Sequence, residues 1–105
     1  MVAVLMLLAA GIAFEATAQS RFTVKKGALT ATVKGTVAQF GTKDYVFSYE
    51  AGHIARMQIT SENGCVKFGG GETEMNLATQ AGDNYIDLRN QCGSEKSFSI
   101  LIHFE

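Results

Sequence analysis

Few groups in this sequence are able to do chemistry, and their spacing says more than their number. Cys65 and Cys92 are the only thiols, and His53 and His103 the only imidazoles. The histidines stand 50 residues apart, with no H-x-H or H-E-x-x-H spacing, so no zinc site is predicted. No serine occupies a nucleophile-elbow pattern. Two carboxylate pairs, Glu72 with Glu74 and Asp83 with Asp87, are spaced to share a strand face. Such pairs are able to perform acid–base chemistry, but on a solvent-facing strand they are ordinarily hydrated charge. Gly69-Gly70-Gly71 lacks the Lys-Ser/Thr and the following helix of a phosphate loop. A calcium site built from Glu72, Asp83 and Asp87 lacks the D-x-D-x-D-G spacing of an EF-hand. The sequence therefore predicts no catalytic residue, no metal and no cofactor.

What remains is a recognition signal. In Ala81-Gly82-Asp83-Asn84-Tyr85-Ile86-Asp87-Leu88 a glycine-containing turn runs directly into an alternating strand. Gly82, Asp83 and Asn84 are predicted to form an exposed polar tip, with Tyr85 as the strand residue that anchors it. A second surface, an aromatic platform, would arise if Tyr45, Phe47 and Tyr49 faced outward. Strand alternation favours placing this stripe in the core instead.

The elements that position these groups begin after an apolar leader. Val2 to Phe14 is almost wholly apolar or small, and Ala16-Thr17-Ala18 follows as a small-x-small cleavage site. Residues 1–18 are therefore predicted to be a removed signal peptide, leaving one domain at 19–105. A retained membrane anchor is the alternative, for which the apolar run is short against the about 20 residues that span a bilayer. Export places both cysteines where thiols pair, so a Cys65–Cys92 disulfide is predicted in preference to two separate buried thiols. The expected location is the periplasm or the exterior of a bacterial cell.

All nine Lys and Arg lie in 19–105, and nine of the ten acids do, because only Glu15 precedes it. The domain is thus neutral with histidines uncharged. Neutrality argues against a nucleic-acid partner held by phosphate neutralisation and against electrostatic adhesion to a membrane. No insertion of the mature chain into a membrane is expected.

Residues 19–105 contain no proline and almost no helical period. Alternation recurs at Arg21–Lys26, Ala28–Gln39, Tyr45–Glu50, Ile54–Ser61, Cys65–Phe68, Met75–Ala78, Tyr85–Arg89 and Ser97–Glu105. Gly35 interrupts the second run and suggests a bulge or bend. Asn63-Gly64, between two alternating runs, signals a hairpin. About eight short strands with tight turns predict an all-β domain: a single antiparallel, jelly-roll-like β-sandwich or a small barrel.

From Gly35 to Phe104 the order of landmarks resembles the bacterial pre-peptidase C-terminal family of small exported sandwiches. Those landmarks are Gly35, Tyr45-Val46-Phe47, Ala51-Gly52 with the strand from Ile54, then Gly82 to Tyr85, and the closing strand Ser97–Phe104. The chain is similar also to the periplasmic lysozyme inhibitors, above all those of g-type (goose-type) lysozyme. Lysozyme inhibitors of other types carry S-G-x-x-Y on a loop that plugs the enzyme's cleft. Here the stretch is Ala81-Gly82-Asp83-Asn84-Tyr85, so glycine and tyrosine match and alanine replaces serine. The resemblance implies a non-enzymatic inhibitor of a lysozyme-like hydrolase, contacting its partner through this loop. The alternatives are a carbohydrate- or surface-binding module with a glycan partner, and a structural periplasmic protein with no site.

Overall fold

A computed structural model describes residues 19–105; the predicted signal peptide, 1–18, lies outside the described residues. The described residues form eight strands: β1 (Ser20–Arg21), β2 (Thr30–Val37), β3 (Thr42–Tyr49), β4 (Ile54–Ser61), β5 (Val66–Phe68), β6 (Glu74–Ala78), β7 (Gly82–Asn90) and β8 (Lys96–Phe104). They make two four-stranded sheets, ordered β1-β3-β7-β5 and β2-β8-β4-β6. Successive strands alternate between the sheets without exception, so every connection crosses the sandwich and no two neighbours in sequence pair. Pairing is antiparallel apart from the two-residue β1–β3 contact at one edge, which is parallel. This is an all-β, jelly-roll-like sandwich stapled by a Cys65–Cys92 disulfide.

The core follows from side-chain alternation, since every second residue of a strand points inward. Ile86 and Leu88 of β7 face Phe98, Ile100, Ile102 and Phe104 of β8 across the interior. Tyr45 and Phe47 are 6% and 0% exposed, and Tyr49 is half-buried against Phe104 at 4.1 Å between ring centroids. The aromatic stripe thus belongs to the core, and an outward platform of Tyr45, Phe47 and Tyr49 is ruled out by burial.

Three local expectations change. Of the alternating run Arg21–Lys26 only Arg21 lies in a strand, since β1 ends there and 22–26 run on outside the sheets. Gly35 is no bulge: β2 pairs with β8 in unbroken register from Thr30 to Val37. A Cβ at Gly35 would come within 2.7 Å of Tyr45 Oη and 3.2 Å of the Phe98 ring, so glycine is there to admit two aromatic rings. Asn63-Gly64 is no hairpin either. Asn63 and Gly64 do adopt positive φ, 55° and 66°, but within a 3-10 turn that carries the chain from β4 in one sheet to β5 in the other. Ser61 Oγ accepts the Val66 N–H at 2.9 Å, and Cys65 N–H bonds Glu62 O. These bonds and the disulfide turn the chain through a corner where a two-residue hairpin would have doubled it back.

Candidate functional site

Functional loops in a sandwich gather at its two ends, and β7 joins them: Gly82 lies at one end and Asn90 at the other. Nine residues of extended chain place these ends roughly 26 Å apart.

At the Gly82 end, the turn Ala81–Tyr85 is built differently from the free polar tip that its sequence suggests. Gly82 has φ of 87°, a conformation open to glycine, and Ala81 and Gly82 are exposed. Asn84, in contrast, is 2% exposed. Its carboxamide oxygen accepts the Gln80 N–H at 2.9 Å, and its nitrogen donates to Gln80 O and Gly82 O. The side chain is the internal brace of the turn. Asp83 is also engaged: Arg21 Nη2 donates to both carboxylate oxygens at 3.0 and 2.9 Å, and Ser48 Oγ donates at 3.3 Å. Tyr85 points outward beside Val46 and is 52% exposed. The surface offered here is therefore the Ala81-Gly82 backbone, the Arg21–Asp83 pair and the Tyr85 ring.

Thr79 fixes the adjoining turn. Its hydroxyl donates to Glu50 O at 2.7 Å and accepts the His53 N–H at 3.0 Å, while its own N–H bonds His53 O. Beside it lies an open groove of about 420 Å³ lined by Val24, Lys25, Lys26, Leu29, Tyr49 and His53, among others. His53 sits with its Nε2 3.5 Å from Glu50 Oε1 and Nδ1 3.2 Å from Glu105 O. His103 is exposed on β8, opposite Arg56 of β4.

The carboxylate pairs do not converge on a reactive centre. Asp83 and Asp87 share the outer face of β7, but Asp83 is bound to Arg21 and Asp87 faces Asp44 across the strands. Gly69-Gly70-Gly71 forms the tight crossing from β5 to β6, closed by Gly71 N–H to Phe68 O at 2.7 Å. Among the described residues no three of His, Cys, Asp and Glu are grouped to hold a metal.

The opposite end was not marked by any sequence motif. Ala38–Gly41 is a tight turn closed by Gly41 N–H to Ala38 O at 2.8 Å, with Phe40 at its third position. Phe40 has φ of 52° and is 66% exposed. Asn90, 1% exposed, holds this turn to the β7–β8 loop: its Nδ2 donates to Val37 O, Ala38 O and Ser94 O, and its Oδ1 accepts Cys92 N–H. Phe40 N–H bonds Cys92 O, and Cys92 is in turn bound to Cys65. On the same end Lys96 donates to Glu62, and this hydrogen bond holds the Glu62 carboxyl below its usual range. One sequence signal was available. Inward positions of β2 are odd-numbered, so Phe40 falls out of phase with the strand that leads to it.

Comparison with known proteins gives a fold and nothing finer. No protein-family model and no curated protein sequence matches the chain. Solved structures do match, among them three that each cover 84% of this chain over the whole of theirs. The three are PliG, a periplasmic inhibitor of g-type lysozyme, from Aeromonas hydrophila (19% identity, TM-score 0.56), Salmonella Typhimurium (15%, 0.59) and, as a mutant, Escherichia coli (14%, 0.57). The fold of residues 19–105 is thus similar to that of these inhibitors.

Proposed function

We propose that this protein is an exported, non-enzymatic inhibitor of a lysozyme-like hydrolase, g-type lysozyme being the best-supported target. The observation that carries the reading is structural: each similar inhibitor is matched across its entire length. The signal-like leader and the disulfide agree with a periplasmic site of action. A rigid sandwich with loops at its ends suits the task, because inhibition needs a preorganised projection that fits a concave cleft. Within this reading the Ala81–Tyr85 turn is one proposed contact, presenting Ala81, Gly82 and Tyr85, while Asn84 supports it from inside. Asp83 contributes through its pair with Arg21.

The glycan-binding alternative loses its strongest support with the burial of Tyr45 and Phe47, since no stacked aromatic strip remains on that strand for sugar rings. The reading is tested by lysis of peptidoglycan-exposed cells by g-, c- and i-type lysozymes with and without purified protein. Protection against the g-type enzyme at micromolar inhibitor is expected. Undiminished lysis by all three would remove the proposal.

A further inference from the structure

Phe40 joins two unfavourable features that the fold does not require. A left-handed backbone is a genuine outlier for a bulky side chain, and the third position of such a turn ordinarily takes glycine or asparagine. The ring is also left largely in water, although the core lies a few residues away at Val37. Strained conformations of this kind persist where the surroundings over-determine them, and they concentrate at functional sites. Here the surroundings are explicit. Asn90 grips both flanking loops with a fully engaged carboxamide, Phe40 N–H is tied to Cys92 O, and the disulfide secures Cys92. The ring rests against Gly93, where an added Cβ would stand in ordinary contact, 3.7 Å from Phe40 Cζ.

We propose that Phe40 is an anchor through which this domain grips its protein partner, the ring entering an apolar subsite of the hydrolase's sugar-binding cleft. The proposal rests on the inhibitor reading above and adds the residue that carries affinity. Aromatic side chains held rigidly at a protruding point are the usual hot spots of protein interfaces, because little entropy is lost on docking. Subsites that accept sugar faces are lined with apolar and aromatic groups, which a phenyl ring satisfies equally well. A membrane is the poorer occupant. Stable adsorption needs a second signal such as a basic cluster, whereas residues 19–105 are neutral and the nearby Lys96 is paired with Glu62.

The test compares wild type with Phe40→Asn and Phe40→Gly, both of which accept the left-handed backbone, in inhibition of purified g-type lysozyme. Leu101→Ser, which removes an exposed apolar side chain from the outer face of the β2-β8-β4-β6 sheet, is the control. Both Phe40 variants are expected to inhibit at least about thirtyfold more weakly, the loss typical of a hot spot. Their melting temperatures should equal or exceed that of wild type, because strain is relieved, and Leu101→Ser should inhibit normally. If wild type inhibits and Phe40→Asn inhibits equally, the anchor is overturned and the inhibitor reading stands. A marked fall in melting temperature in both variants would overturn it too, by showing that the ring serves stability. Failure of wild type to inhibit overturns both.

Discussion

Asn90 Nδ2 donates to the carbonyl of Val37 at 3.0 Å, joining residues 53 apart in sequence and closing one end of the sandwich. The same nitrogen reaches Ala38 O at 3.2 Å and Ser94 O at 2.8 Å. One buried carboxamide therefore does the work of several loop-to-loop bonds. Replacing it by alanine leaves buried carbonyls and the Cys92 N–H without partners, a loss of about 2–3 kcal/mol. Asn90→Ala is expected to unfold in urea at lower concentration with an unchanged slope. A stability loss near zero would mean that water replaces the side chain without cost.

The disulfide acts on the same end. It spans 27 residues, and constraint of the unfolded chain by such a loop is worth about 3–4 kcal/mol on the entropic account. Cys65→Ser with Cys92→Ser should lose this stability. In addition, the amide of Phe40, which bonds Cys92 O, should exchange faster with solvent than amides at the Gly82 end. Uniform acceleration at both ends would show that the bridge acts only on global stability.

Tyr45 gives a pH dependence of defined sign. Burial pushes its phenol above the ordinary 10.0, so the folded chain keeps a proton that the unfolded chain has released. The contribution is intact below pH 10.0 and is lost as pH rises through the folded-state value. Tyr45→Phe removes the titrating group, and urea denaturation at rising alkaline pH should show a shallower decline than wild type. Parallel declines would contradict the assignment.

Neighbouring residues of the Ala81–Tyr85 turn should behave oppositely. Asn84 braces the turn from a buried position, so Asn84→Ala is expected to cost about 1–2 kcal/mol. Asp83 forms an ion pair whose side chains are 52% and 40% exposed, and Asp83→Ala should cost less than about 1 kcal/mol. Thermal melts of both variants decide the ranking, and a reversed order would mean that the Arg21 pair is what shapes the turn.

Most strand positions and inward faces were legible in the sequence because alternation is a local signal, as in Ile86-Asp87-Leu88; Arg21–Lys26 alternates too, yet only Arg21 of it pairs in a sheet. The disulfide was legible too, from the signal-like leader and an even cysteine count. Strand order was not, since pairing partners such as Val33 and Ile100 are far apart in the chain. Asn63-Gly64 shows the limit clearly: its positive φ was legible, but whether the chain doubles back or crosses to the other sheet depends on Ser61, the disulfide and the packing of β5. At the Gly82 turn, residue types suggested free polar groups, yet their use is fixed by Gln80, Arg21 and Ser48. Phe40 carried no motif, and its significance comes from backbone conformation and exposure together.

Restraint of a lysozyme by this domain, without chemistry of its own, is the proposed function. Its most direct test is the rate of cell-wall lysis by purified g-type lysozyme, titrated with residues 19–105 in the oxidised state. A saturable fall in rate is expected, with formation of a one-to-one complex at micromolar protein or below. An unchanged rate at every concentration, with no complex detected, would contradict it.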